Sequence, residues 1–253
     1  MLLDSGNFAD NPTQAGDTRT AALLEGMAKL GYKAVNVGDR DLSVGYDDFV
    51  QRTRGLGMQF ISTNIVKQGT KSTVFPPYAI VEVTGASGKP VRIGVLGVIR
   101  YSPVWQKAGP SGENLGVAAP EEMIRLVLSE VRQKSDIVVL LAALSKEDAR
   151  AIAGNLQDID LILGSYGGIY STQEEQEGRV RLVYTGNQGK RIGESRITLD
   201  AKRQVDGVVS YIHYLTARYP EDKATAETVA AVNAKLGKAP EPKPQLAPAA
   251  GGP

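Results

Sequence analysis

The sequence predicts an α/β protein in which two β-sheets are covered by helices. Apolar strand-like runs alternate with amphipathic helical stretches through the first two thirds of the chain. The last third changes to strands of period-two alternation. One stretch, DIVVLLAAL (136–144), is apolar almost throughout, as a strand buried on both faces must be. One domain of two packed sheets with helices outside accommodates these three observations.

In chain order, Asp17 stands before TRTAALLEGMAKLG as a helix cap, with Leu23, Met27 and Leu30 as the buried stripe and Gly31 as the stop. KAVNV (33–37) reads as a buried strand, GDRDLSVG (38–45) as a loop, YDDFVQRTRGLG (46–57) as a short helix and QFISTNIV (59–66) as a second strand. Residues 67–77 form a loop closed by Pro76-Pro77. YAIVEV (78–83) and VRIGVLGVI (91–99) flank Gly85-Ala86-Ser87-Gly88, a hairpin pattern. Residues 100–120, rich in Gly, Pro and Ser, read as a long surface loop. Pro120 opens a helix whose stripe is Ile124, Val127, Leu128 and Val131. After the 136–144 strand come a helix over KEDARAIAGNL and a short strand, DLILG (160–164). RVRLVYTG, ESRITLD and VDGVVSYIHYL then read as antiparallel strands, and residues 224–237 as a last helix. The Pro/Ala/Gly-rich end, 238–253, reads as a disordered tether to a partner protein or adjoining domain.

Composition narrows the chemistry. With 29 basic and 28 acidic residues the formal charge is +1, which gives no electrostatic reason to expect nucleic acid or an anionic membrane as partner. No apolar run approaches the length of a membrane span. There is no cysteine, so disulfides, thiolate metal sites and cysteine nucleophiles are excluded. MLLDSGNFADN has neither a basic n-region nor an apolar h-region, so no signal peptide is expected in this chain. The single histidine, His213, lies in the alternating strand VVSYIHYL and reads as structural.

Seven fragments, in order, resemble the N-terminal domain of the 5′-nucleotidase family of calcineurin-like metallophosphoesterases. LLDSGNF resembles Leu-Leu-Asp-x-Gly-Asp-x. VNVGDRDLSVGYDDF resembles the Gly-Asn-His-Glu-Phe-Asp-x-Gly loop and its following helix. FISTNIV, VRIGVLGVI, DIVVLLAALS, DIDLILGSYGG and YTGNQGKRIGESRITLD resemble the later strands and motif loops, so that residues 2 to 200 are covered. The resemblance implies a four-layer αββα sandwich of two mixed β-sheets spanning residues 1–237, and an extracytoplasmic, periplasmic setting.

The resemblance also implies two divalent metal ions and an attacking metal-bound hydroxide. Followed position by position, those ligands are gone. The opening Asp-x-His strand is absent, which would leave two unpaired sheet edges inside the domain, so either the true start is expected upstream of Met1 or another segment fills the gap. The bridging Asp is Asn7, the loop Asn is Asp39, and the catalytic His is Arg40. The fourth-motif His falls on Ala143, and His-x-His becomes Tyr166-Gly167-Gly168. Asn7 and Asp39 alone retain ligand oxygens, too few for two metal shells. No metal, cofactor or catalytic residue is therefore expected, and Asn7, Asp39, Arg40 and Tyr166 remain as ligand-binding candidates, with Arg40 suited to a phosphate or carboxylate.

Each candidate has a plainer structural role: an ion pair within the loop for Asp39 and Arg40, loop-shaping hydrogen bonds for Asn7, and a strand-end packing role for Tyr166. GNQGKRIG fits a tight strand connection better than a phosphate nest, and Trp105 suits a loop anchor as well as a recognition aromatic. The expected function is a degenerate metallophosphoesterase-like domain acting as a binding or scaffolding module. The rivals are a phosphoesterase with an atypical site completed by upstream residues, and an oligomeric structural protein.

Overall fold

The computed structural model describes residues 1–171 and 173–237. The tether read over 238–253 lies outside the described residues. The chain runs β1 (Leu2–Asp4), α1 (Gln14–Leu30), β2 (Tyr32–Asn36), α2 (Tyr46–Thr53), β3 (Gln59–Ile61), β4 (Ile65–Lys67), β5 (Tyr78–Thr84) and β6 (Pro90–Ile99). It continues with β7 (Lys107–Ala108), β8 (Asn114–Val117), α3 (Pro120–Lys134), β9 (Ile137–Ala143), α4 (Lys146–Asn155) and β10 (Leu161–Gly164). β11 (Glu175–Glu177), β12 (Val180–Tyr184), β13 (Arg191–Leu199), β14 (Val205–Tyr214) and α5 (Lys223–Lys235) complete it.

The larger sheet has the order β11-β12-β10-β9-β6-β5, with β6, β9, β10 and β12 parallel and an antiparallel strand at each edge. All of β9 is buried, which accounts for its unbroken apolar sequence. On one face, α3 and α4 cover Leu96, Val98, Leu140 and Ile162, sealed by Ile124, Leu128 and Val131 from α3 and Ala149 and Ile152 from α4. On the other face, Val95, Val139, Leu141 and Leu161 pack against Ala34 and Ile61 of the β1-β2-β3 sheet and against Val208 of the β13–β14 hairpin. The second layer is thus in two pieces. β1 pairs on one side only, with β2, and the hairpin forms its own two-stranded sheet. α1 lies outside β2, burying Leu24 and Met27 against Val35 and Met58, and packs against α5. Together these layers make the expected αββα sandwich.

Six local readings need correction. Thr13, not Asp17, caps α1 by accepting from the Gly16 N–H. The buried stripe is Thr20, Leu24 and Met27, while Leu23 and Leu30 are 45% and 67% exposed. Adjacent leucines lie about 100° apart on a helix, so a period argument alone does not choose between them. α2 stops at Thr53 because Arg54 turns extended. QFISTNIV is two strands in different sheets, broken at Ser62-Thr63-Asn64, whose side chains are fully buried. Asn64 there donates to the Ile99 and Ala118 carbonyls and accepts from the Ile99 N–H. The 100–120 segment carries β7 and β8, which join β4 in a small sheet anchored by the fully buried Leu115. RVRLVYTG pairs parallel with β10, and its antiparallel partner is the polar β11, which no hydrophobic pattern marks.

Candidate functional site

The C-terminal ends of both sets of parallel strands face the same way. The Ser5 hydroxyl, just past β1, donates to the Leu163 carbonyl of β10 at 3.1 Å. Asn36, at the end of β2, donates to the carbonyls of Ser5 and of Val98 in β6, 3.0 Å each. This end of a parallel sheet is where ligands bind in open α/β folds, and every resemblance-derived candidate emerges there.

Asn7 follows β1 with φ 63°, a left-handed conformation that asparagine tolerates. Its amide oxygen accepts from the Arg40 N–H at 3.0 Å and so ties the two loops together. The loops can approach because Gly38 has no side chain; a Cβ there would stand 2.2 Å from Asn7 Oδ1. Asp39 and Arg40 are exposed at the loop tip. Among the described residues no ion pair joins them, so the loop ion pair named as their plainer role does not form. The Arg40 charge is instead felt by Asp10, whose carboxyl is held below its usual range by its Arg19 hydrogen bond first, with Arg40 adding to it.

The group that shapes this loop is one the sequence reading passed over. Asp41 is 2% exposed and accepts three backbone N–H bonds, from Asn7 (2.9 Å), Ala9 (2.9 Å) and Gly38 (2.7 Å). Burial pushes its carboxyl up to about 6, against the pull of those three donors and with a further push from Asp4. Asp4 is itself raised by burial and accepts from the Gly6 N–H. The signal for Asp41 was present: it stands where the resembled loop has its Glu.

Tyr166 is 37% exposed at the end of β10, and its hydroxyl accepts from Arg100 Nη1 at 3.1 Å. The Arg100 guanidinium also lies 5.8 Å from the Tyr166 ring centroid, a cation–π distance. Arg100 was likewise missed, although it is the first residue past the apolar run of β6 and its N–H pairs with the Ala143 carbonyl. Ala143 is 2% exposed and packs with Val37, Phe49, Phe75 and Ile99. Trp105 leans on that same cluster as a loop anchor. The structure therefore brings Asn7 to Arg40 and Tyr166 to Arg100, with Asp39 beside the first pair. His213 is elsewhere, on the β13–β14 hairpin, with Nε2 2.8 Å from Glu194 Oε2.

Two divalent metals need a shared carboxylate and several neutral imidazole or oxygen donors. The residues present do not fit that demand. Asn7 spends its oxygen on the Arg40 N–H, Arg40 is itself a cation, and Ala143 and Gly168 carry no ligand atom. Among the described residues no group of three or more His, Cys, Asp or Glu is placed to hold a metal ion.

No protein-family profile and no curated protein matches the sequence. Solved structures do match. The chain superposes on the sulfate thiohydrolase SoxB of Thermus thermophilus with TM-score 0.79 and 20% identity, covering 94% of this chain and 43% of that one. A 5′-nucleotidase precursor from Thermus thermophilus gives 0.77 and 20%, covering 94% and 50%. The calcineurin-like phosphoesterase YfkN of Bacillus subtilis gives 0.77 and 17%, covering 93% and 83%. The chain thus spans about half the length or less of the first two. At such identities the likeness speaks to architecture: the chain has the metallophosphoesterase fold of the 5′-nucleotidases.

Proposed function

We propose that this domain is a degenerate metallophosphoesterase that works as a binding or scaffolding module in an extracytoplasmic compartment. The observation that carries the reading is the donor set at the strand ends. The metal-holding positions of the resembled motifs are occupied here by Asn7, Asp39, Ala143 and Gly168 and the catalytic His position by Arg40, and the chain has one histidine, paired to Glu194 on a separate hairpin. The scaffold around those positions is kept. Asp41 pins the loop, Gly38 allows the close approach, and Asn36 ties the layers. What this end of the strands offers a ligand is two guanidiniums, an exposed carboxylate and a phenol. That set suits a polar or anionic group held by hydrogen bonds rather than by metal coordination. The periplasmic setting rests on the resemblance, and among the described residues no helix is long and apolar enough to cross a membrane.

Elemental analysis of the full chain after equilibration with Mn²⁺ or Zn²⁺, alongside an aryl phosphate assay, tests this. The expected result is substoichiometric metal and no turnover above the buffer blank. Two ions per chain with turnover would overturn it and support the rival phosphoesterase.

A further inference from the structure

A polar cavity lies at the opposite end of the strands, where β9, β10 and β12 begin. It has a volume of about 400 Å³ and is lined by Arg132, Arg179, Lys202 and Arg203 together with Asp136 and Asp158. The four cations come from three separate places: the last turn of α3, the turn before β12, and the turn joining β13 to β14.

Two buried aspartates set the guanidiniums in place. Asp160, 2% exposed, accepts from Arg132 Nη1 at 2.6 Å, Arg179 Nη2 at 3.0 Å and the Val138 N–H at 2.7 Å. Asp136, 9% exposed, accepts from Arg203 Nε and Nη2 at 2.9 and 2.7 Å and from the Arg92 N–H at 2.8 Å. Each aspartate is saturated on its inner side. The guanidiniums are not: a guanidinium carries five N–H donors, and Arg179 commits one nitrogen, to Asp160. Arg132 commits Nη1 and Nη2, the latter to the Ser135 carbonyl, and Arg203 commits Nε and Nη2. Lys202 is exposed and has no ion-pair partner among the described residues.

We propose that this cavity binds a small phosphate-bearing anion of about pyrophosphate size. Pre-oriented guanidinium forks are the side chains best matched to phosphoryl oxygens. Forks arriving from three elements suit a tetrahedral phosphoryl group, which presents three oxygens in different directions, better than a planar carboxylate, which presents two. The volume exceeds what one phosphate fills and lies at the small end of ligand pockets. Such a ligand would bridge α3, β12 and the hairpin turn, joining the separate hairpin to the large sheet.

Inorganic pyrophosphate titrated into the full chain by calorimetry at fixed ionic strength tests this, with circular dichroism to confirm that each variant is folded. One site per chain is expected. Lys202→Glu, which breaks no contact in the fold, and Arg179→Gln should each weaken binding by about tenfold or more. Lys107→Glu, on β7 at the other end of the strands, makes the same charge change as Lys202→Glu and should leave binding unaltered. No binding at millimolar pyrophosphate, equal weakening by Lys107→Glu, or an unaffected Lys202→Glu would each overturn the proposal. Citrate binding as tightly as pyrophosphate would overturn the phosphoryl assignment.

Discussion

Replacing Asp41 by Ala removes the acceptor of three buried backbone N–H groups and so tests whether this one carboxylate holds the 38–45 loop. At about 1 kcal/mol for each orphaned donor, the lower end of the range, the loss is about 3 kcal/mol with the carboxylate ionised. The pH dependence then has a definite sign. A carboxyl raised by folding contributes stability that is complete below its unfolded value of 3.8 and is lost as pH rises through about 6. A rise of about two pKa units corresponds to about 3 kcal/mol in total, of which about 1 is already lost near pH 4.5 and all of it near pH 7.5. Asp41→Ala should therefore cost about 2 kcal/mol more near pH 4.5 than near pH 7.5. Urea unfolding of wild type and variant at the two pH values, with the slope checked for constancy, measures this. A cost that is equal at both, larger at the higher pH, or below about 1 kcal/mol throughout would refute the reasoning.

Arg203→Ala strips the buried Asp136 of its two-pronged partner and should lower the urea midpoint near neutral pH. Asp136 is pulled down to about 2 chiefly by Arg203, so that cost should fade in acid unfolding curves as pH drops from about 4 through about 2. Gly97→Ala would place a Cβ 2.4 Å from Asn36 Oδ1, on a fully buried side chain held by two hydrogen bonds, so a loss of roughly 3 kcal/mol is expected from thermal or urea unfolding. Ile124→Ala, fully buried beneath α3, should cost about 3 kcal/mol, whereas Leu126→Ala, 57% exposed on the same helix, should stay within about 0.5 kcal/mol in the same assay.

What the sequence made legible followed from strong local patterns. The unbroken apolar run of β9 and the striped, proline-opened α3 leave one structural solution each, and glycines at loop positions marked where chains approach closely. The misreadings arose where partners distant in sequence decide. Leu24 rather than Leu23 is buried because Val35 and Met58 wait on that side. QFISTNIV breaks because Asn64 finds its partners in Ile99 and Ala118. β11 is a polar edge strand that exists by pairing with β12. At the candidate site, motif comparison pointed to Asn7, Asp39, Arg40 and Tyr166, and the fold brings the loops that carry them to one end of the strands. It passed over Asp41 and Arg100. The work of Asp41 is to satisfy main-chain donors, which no side-chain motif records, and Arg100 meets Tyr166 only once β6, β9 and β10 are laid side by side.

The two amide side chains of Asn36 and Asn64 have a mechanical consequence. Both sit at the C-terminal ends of the strands, and both hydrogen-bond the last residues of β6. The layers are riveted together at that end, while at the other the hairpin turn is latched to the large sheet by Arg203 gripping Asp136. Opening should therefore start at the latch and travel toward the rivets, with the hairpin hinging away first and the floor beneath Asn7 and Arg40 the last part to yield.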